Sequence, residues 1–273
     1  MFNFGGNVAN LMDHPMVMKE TWEQYTQDEH QRWSILFKRQ EEILATRAAA
    51  EVLDGMKKLE ICDFQIPKFS EINKILMDAT GFSVVPVTGL IPADLFFHFL
   101  AARKFPSTCF LRSPQKMDYL QEPDVFHDVF GHVPLLVNPV FADLMEVFGR
   151  KGIEAIKMDL YRYAASLYWF TIEFGLINTQ QGLKIYGAGI TSSPGESVYS
   201  VESSKPNRLK FDAMRAMKTL YRIDRFQQSY FVINDYKQVI NSIKDLDWKE
   251  LKQELIYQPD IEEGIVVNPS ELI

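Results

Sequence analysis

Cysteine is almost absent from this 273-residue chain, and the two present, Cys62 and Cys109, have no CxxC spacing. So few cannot build a disulfide framework or a cysteine zinc site, and both read as ordinary half-buried thiols. Clustered positive charge is missing too: 29 Lys and Arg against 36 Asp and Glu leave a net charge of −7, and the longest basic block is a pair such as Lys38-Arg39. Nucleic-acid phosphates call for clustered bases, so no nucleic-acid partner is expected. No apolar run reaches roughly 18 residues; the nearest, Leu160 to Asn178, is broken by Arg162 and Glu173, so no membrane span is expected. The opening MFNFGGNVANLMDH lacks a basic start and a sustained apolar stretch, so no secretory signal is visible and the expected location is the cytoplasm.

What is present suits a globular protein: 47% hydrophobic, 13% aromatic and 24% charged residues. A chain of this length buries roughly 70–75% of its unfolded surface, enough for one core. Residues 1–18 lack periodicity and read as an arm that wraps the surface or stays mobile; residues 19–273 read as one domain. Apolar residues recur at helical steps from Glu20 to about Glu60. Beyond the break at Pro67, Ser70 is the candidate N-cap of a helix that stops at Gly81. Residues 82–88 read as extended, a helix runs from Pro92 to about Lys104, and Thr108 to Arg112 reads as a strand. Pro123 suits the first turn of a helix. Further helices are expected at about 139–150, 159–179 and 235–245, with short β segments near 183–187, 197–201 and 229–233. The predicted class is mainly α with a few short antiparallel β segments (α+β).

Five histidines occur, and only His127 and His132 are close, in FHDVFGH. On a straight α-helix, positions five apart diverge by about 140° and would not meet on one ion. A helix ending at Gly131 in a left-handed cap would turn His132 back toward His127. The spacing is not the HExxH of zinc peptidases. Glu173 is the second signal: it is the only charged residue between Tyr163 and Leu183, set among Tyr168, Trp169, Phe170, Ile172 and Phe174. An unpaired buried carboxylate costs several kcal/mol, so it must be protonated, paired or bound to a cation. Two imidazoles and one carboxylate form the facial triad of non-haem Fe(II). Zinc with the same ligands, in a hydrolase, remains open on ligand identity alone.

Four stretches then carry a resemblance: EPDVFHDVFGHVPLL (Glu122 to Leu136), YWFTIEFGL (Tyr168 to Leu176), YGAGITSSPGE (Tyr186 to Glu196) and GFSVVPVTGLIP (Gly81 to Pro92). In order and separation, from about residue 20 to 235, they resemble the pterin-dependent aromatic amino acid hydroxylases. The chain is most similar to the short bacterial, phenylalanine-hydroxylating members, without the regulatory domain or C-terminal tetramerisation helix of animal ones. The resemblance implies Fe(II) held by His127, His132 and Glu173, a tetrahydropterin cosubstrate, and O2. The activity it implies is conversion of L-phenylalanine to L-tyrosine through a ferryl oxidant, with tryptophan or tyrosine as alternative substrates. It also implies that Arg112 grips the substrate carboxylate and that Trp169 and Ser192 help build the substrate pocket. Phe96 would stack on the pterin, beside backbone groups at Gly89 and Ile91. Asp128 stands where animal members commonly carry Glu. The expected assembly is a monomer or homodimer.

Overall fold

The computed structural model describes residues 11–118 and 120–273. Residues 1–10 of the expected arm lie outside that range. Met16 to Met18 run along the first strand, with Met18 N donating to Pro86 O (3.0 Å) and Thr88 N to Met16 O (3.0 Å).

The helical region after Glu20 is two helices, α1 (Gln27–Leu44) and α2 (Ala50–Lys58). A reciprocal capping box of Thr26 and Glu29 starts α1. Arg47 to Ala49 leave the helix because their backbone pairs elsewhere: Ile185 N donates to Arg47 O (2.9 Å) and Ala49 N to Ile185 O (2.8 Å). Helix α3 (Phe69–Thr80) stops at Gly81 (φ 75°) as expected, but its N-cap is Lys68, not Ser70. The first-turn amides of Phe69 and Ser70 donate instead to the Glu20 carboxylate, far away in sequence.

Strand β1 (Ser83–Val87) matches the extended segment, and α4 (Ala93–Ala101) ends earlier than expected because Arg103 takes a positive φ of 53°. Strand β2 is therefore Lys104–Thr108, and Cys109 to Arg112 lie beyond it. Chain then runs to the long α5 (Pro139–Lys157), capped by the Asn138 side chain, and to α6 (Tyr161–Tyr168). The expected helix over 159–179 does not persist: its last four residues are strand β3 (Leu176–Thr179), paired with β4 (Gly182–Ile185). Next come α7 (Ala188–Thr191) and α8 (Pro194–Glu202). Residues 197–201 are thus helical rather than β, because Pro194 sits in the first turn and Ser193 caps it through Glu196 N. Strand β5 (Asn207–Lys210), α9 (Ala213–Lys218), β6 (Ser229–Ile233), α10 (Tyr236–Lys244) and α11 (Trp248–Tyr257) complete the order.

Helices dominate, as expected, but the strands do not pair mainly antiparallel. β1 and β2 form a parallel pair, and the second sheet, in order β4-β3-β6-β5, is antiparallel only between β3 and β4. Strands distant in sequence meet through helical crossovers, which local patterning does not encode. One large core joins the helices to both sheets, with Trp33, Phe126, Phe130 and Phe170 fully buried in it. Among the described residues, no helix is long and apolar enough to cross a membrane.

Candidate metal centre

Two π-helical turns build the site. The first spans Phe126–His132, the second Trp169–Glu173 at the end of α6. A π turn bonds residue i to i+5 rather than i+4, so positions five apart face the same side. That geometry, not a left-handed cap at Gly131, brings His132 beside His127; Gly131 is absent from the positive-φ glycines of the chain. Phe174 N donating to Trp169 O (2.9 Å) closes the second turn and points Glu173 inward.

Both turns press on α7. A Cβ on Gly131 would stand 2.8 Å from Ala188 O, and one on Gly187 would stand 2.4 Å from Glu173 O. Only glycine permits either approach. The result is a cluster of His127, His132 and Glu173 with ligand atoms all within 4.8 Å of one another. His127 Nε2 and His132 Nε2 are 3.2 Å apart. Glu173 Oε1 lies 3.1 Å from His132 Nε2, and Oε2 lies 3.7 Å from His127 Nε2.

Ser192 determines which His127 nitrogen is free. Its Oγ donates its one proton to Ala188 O (2.8 Å), so it accepts from His127 Nδ1 (2.9 Å). Nε2 then carries a lone pair and faces the cluster. Burial pushes His127 down to about 4, so the ring is neutral at pH 7. Burial pushes Glu173 up, but the His132 and His127 rings outweigh it and the carboxyl stays below its ordinary value. Two imidazoles and a carboxylate are the donor set of a divalent cation. Two ligands about 2.1 Å from one ion at right angles stand about 3 Å apart, close to the separations found here. The residues therefore fit an iron with its remaining positions open.

Arg112 is buried and paired with Asp124. Its Nε and Nη2 donate to Asp124 Oδ2 and Oδ1, both at 2.9 Å. Asp124 also accepts from Arg112 N (2.8 Å) and His127 N (3.0 Å), tying the guanidinium to the first π turn. Sequence reasoning missed Asp124 because its ion-pair partner Arg112 lies twelve residues away, outside helical spacing. Asp128 points to β2, accepting from Thr108 N (2.8 Å) and Thr108 Oγ1 (3.0 Å), and burial pushes it up to about 7.

Trp169 shares its turn with Glu173 and is half-buried, its ring 4.6 Å from that of Phe174. Phe126 and Phe130 stack on each other at 4.7 Å, against Trp33 and Phe37 respectively. These two are core behind the histidines rather than wall of a pocket. The remaining candidates lie on the other flank. Phe96 is half-buried, edge-on to Phe105 (6.5 Å) and Tyr168 (5.5 Å), and Phe105 in turn lies 4.8 Å from the His132 ring. Gly89 has φ 150° and faces Glu122, whose Oε1 is 3.6 Å from where a Cβ would stand; Ile91 packs on Val87, Leu95 and their neighbours.

Known proteins share this arrangement. The family described as biopterin-dependent aromatic amino acid hydroxylase matches residues 16–265. Phenylalanine-4-hydroxylase of Chromobacterium violaceum is 51% identical over 81% of this chain and 74% of its own. That of Ralstonia nicotianae is 47% identical over 92% and 80%. A crystal structure of the Chromobacterium violaceum enzyme with bound oxidized Fe(III) superposes with a TM-score of 0.90 at 47% identity, covering 94% of this chain and 93% of that one. With a His-His-Glu cluster on paired π turns and a match along nearly its whole length, this chain belongs to the biopterin-dependent aromatic amino acid hydroxylases.

Proposed function

We propose that this chain converts L-phenylalanine to L-tyrosine, using Fe(II) held by His127, His132 and Glu173, a tetrahydropterin and O2, with residues 19–273 acting as one catalytic domain in the cytoplasm. The observation that carries this is the convergence of two imidazoles and one carboxylate beside a half-buried Trp169 and a buried Arg112. When bound, the iron and the reduced pterin together activate O2 and deliver one oxygen atom to the para carbon of the substrate ring.

The chain supplies binding and orientation. Asp124 engages Nε and Nη2 of Arg112, which leaves Nη1 for the substrate carboxylate. Held there, the amino acid sends its ring toward the edge of Trp169 and the Phe174 ring, which exclude water from the metal side. Ser192 keeps the His127 proton on Nδ1 and away from the metal-facing nitrogen. Phe96 offers its ring to the pterin, next to the backbone of Gly89 and Ile91. L-Phenylalanine is the partner, and the assembly is a monomer or homodimer.

The test is to incubate iron-loaded protein with O2, tetrahydropterin and each of phenylalanine, tyrosine and tryptophan, then identify the products. Tyrosine from phenylalanine as the fastest reaction is expected. Faster hydroxylation of tryptophan or tyrosine would reassign the substrate, and no hydroxylated product from any of the three would sink the proposal.

A further inference from the structure

Gln227 lies outside the four stretches that carry the family resemblance and is 1% exposed. Its side-chain amide has one orientation: Nε2 donates to Arg222 O (2.8 Å), so Oε1 faces the other way and accepts from Trp169 Nε1 at 3.0 Å. Its backbone is anchored as well, since Gln227 N donates to Glu196 Oε1 (3.0 Å), and that oxygen also accepts from Tyr230 Oη (2.6 Å).

The indole is gripped by rings on either side. Tyr221 stacks on it at 4.4 Å and 19°, and Phe174 lies at 4.6 Å and 34°. Stacking is tolerant of sliding and of rotation within the ring plane, because the contact area hardly changes. A hydrogen bond to the ring edge removes that freedom, because N–H···O bonds weaken steeply off line. Gln227 is the group that does so here.

We propose that Gln227 is a positioning residue that sets the in-plane rotation of the Trp169 indole and, through it, the hold on phenylalanine and the ring selectivity of the pocket. The inference rests on the reading of Trp169 as a wall of the substrate pocket. Without the Gln227 acceptor, the indole N–H turns toward another partner and the slot beside the metal cluster changes width. Phenylalanine then loses its fit, while the larger ring of tryptophan loses less.

Two variants test this, Gln227→Met, which has no acceptor of comparable strength, and Gln227→Asn, which withdraws the amide by one methylene. Each is expected to raise KM for phenylalanine about tenfold, with kcat changed less, and to lower the phenylalanine-to-tryptophan ratio of kcat/KM. In a Trp169→Phe background, which has no indole N–H, the Met and Asn changes should add nothing to KM. A readout independent of turnover is the indole N–H resonance of Trp169 in the full chain labelled with 15N-tryptophan, identified as the one of four that Trp169→Phe removes. It should move upfield in the Met and Asn variants. Unchanged KM in both variants, or an equal rise in the Trp169→Phe background, overturns the role of Gln227 and leaves the substrate assignment standing. Wild-type protein that hydroxylates no aromatic amino acid overturns the substrate reading itself, and with it this inference.

Discussion

Removing the Glu173 carboxylate leaves two imidazoles to hold an ion alone. Glu173→Ala is therefore expected to abolish tyrosine formation and to lose iron, read by metal analysis after dialysis; retained iron would remove Glu173 from the ligand set. Arg112→Ala has two consequences rather than one. It deletes the cationic partner proposed for the substrate, and it strands the carboxylate of Asp124, which has no exposed surface. Breaking a buried pair from one side costs about 3–5 kcal/mol, so denaturant unfolding should show that loss alongside a raised KM for phenylalanine. A raised KM at unchanged stability would mean that Asp124 finds water or another partner. Glu173's isolation and the closeness of the two histidines were visible in sequence because both are local oddities of charge and spacing. Asp124 and Gln227 were not, because a buried Asp or Gln is recognisable only once its distant partner is known.

At the scale of the element, the departure from α-helix makes the site. Both ligand-bearing segments widen into π turns, and α7 packs against both through glycine contacts. Gly131→Ala would place a methyl 2.8 Å from Ala188 O and 3.2 Å from Ala188 Cβ, so the first π turn must shift away from α7. Overpacking of this kind typically costs about 1–3 kcal/mol. The expected result is weakened iron binding and a lower Tm with helix content preserved by far-UV circular dichroism. Full iron affinity in that variant would show that α7 does not set the spacing of the histidines. The same scale explains the misplaced boundaries. Residues 176–179 continue an apolar run that reads as helix, but pairing with β4 along their length, and with β6 at Leu176 and Ile177, draws them into a strand. Residues 197–201 alternate like a strand, yet Ser193 and Pro194 start a helix there.

Across the whole molecule, Glu196 is a measurable reporter of folding. Burial pushes its carboxyl up to about 7, against hydrogen bonds from Tyr230 and Gln227 that pull it down. Between pH 4.5 and about 7 the folded chain keeps this proton while the unfolded chain releases it, so stability from this group falls as pH rises. Glu196→Gln removes the dependence. Relative to wild type it should gain roughly 3 kcal/mol between pH 4.5 and 7, read from denaturant unfolding at the two pH values. A stability difference that stays flat with pH would mean that Glu196 is ionised in the folded protein. By itself the sequence determined the mainly helical class, the stop of α3 at Gly81 and the three residues of the candidate metal cluster. Each follows from interactions among near neighbours or from a charge out of place. Tertiary structure alone decided that the strands pair mostly in parallel, that Glu20 caps a helix far along the chain, and that the histidines meet through a π turn. Those outcomes depend on which distant surfaces bury each other, and hydrophobic burial has no sequence address.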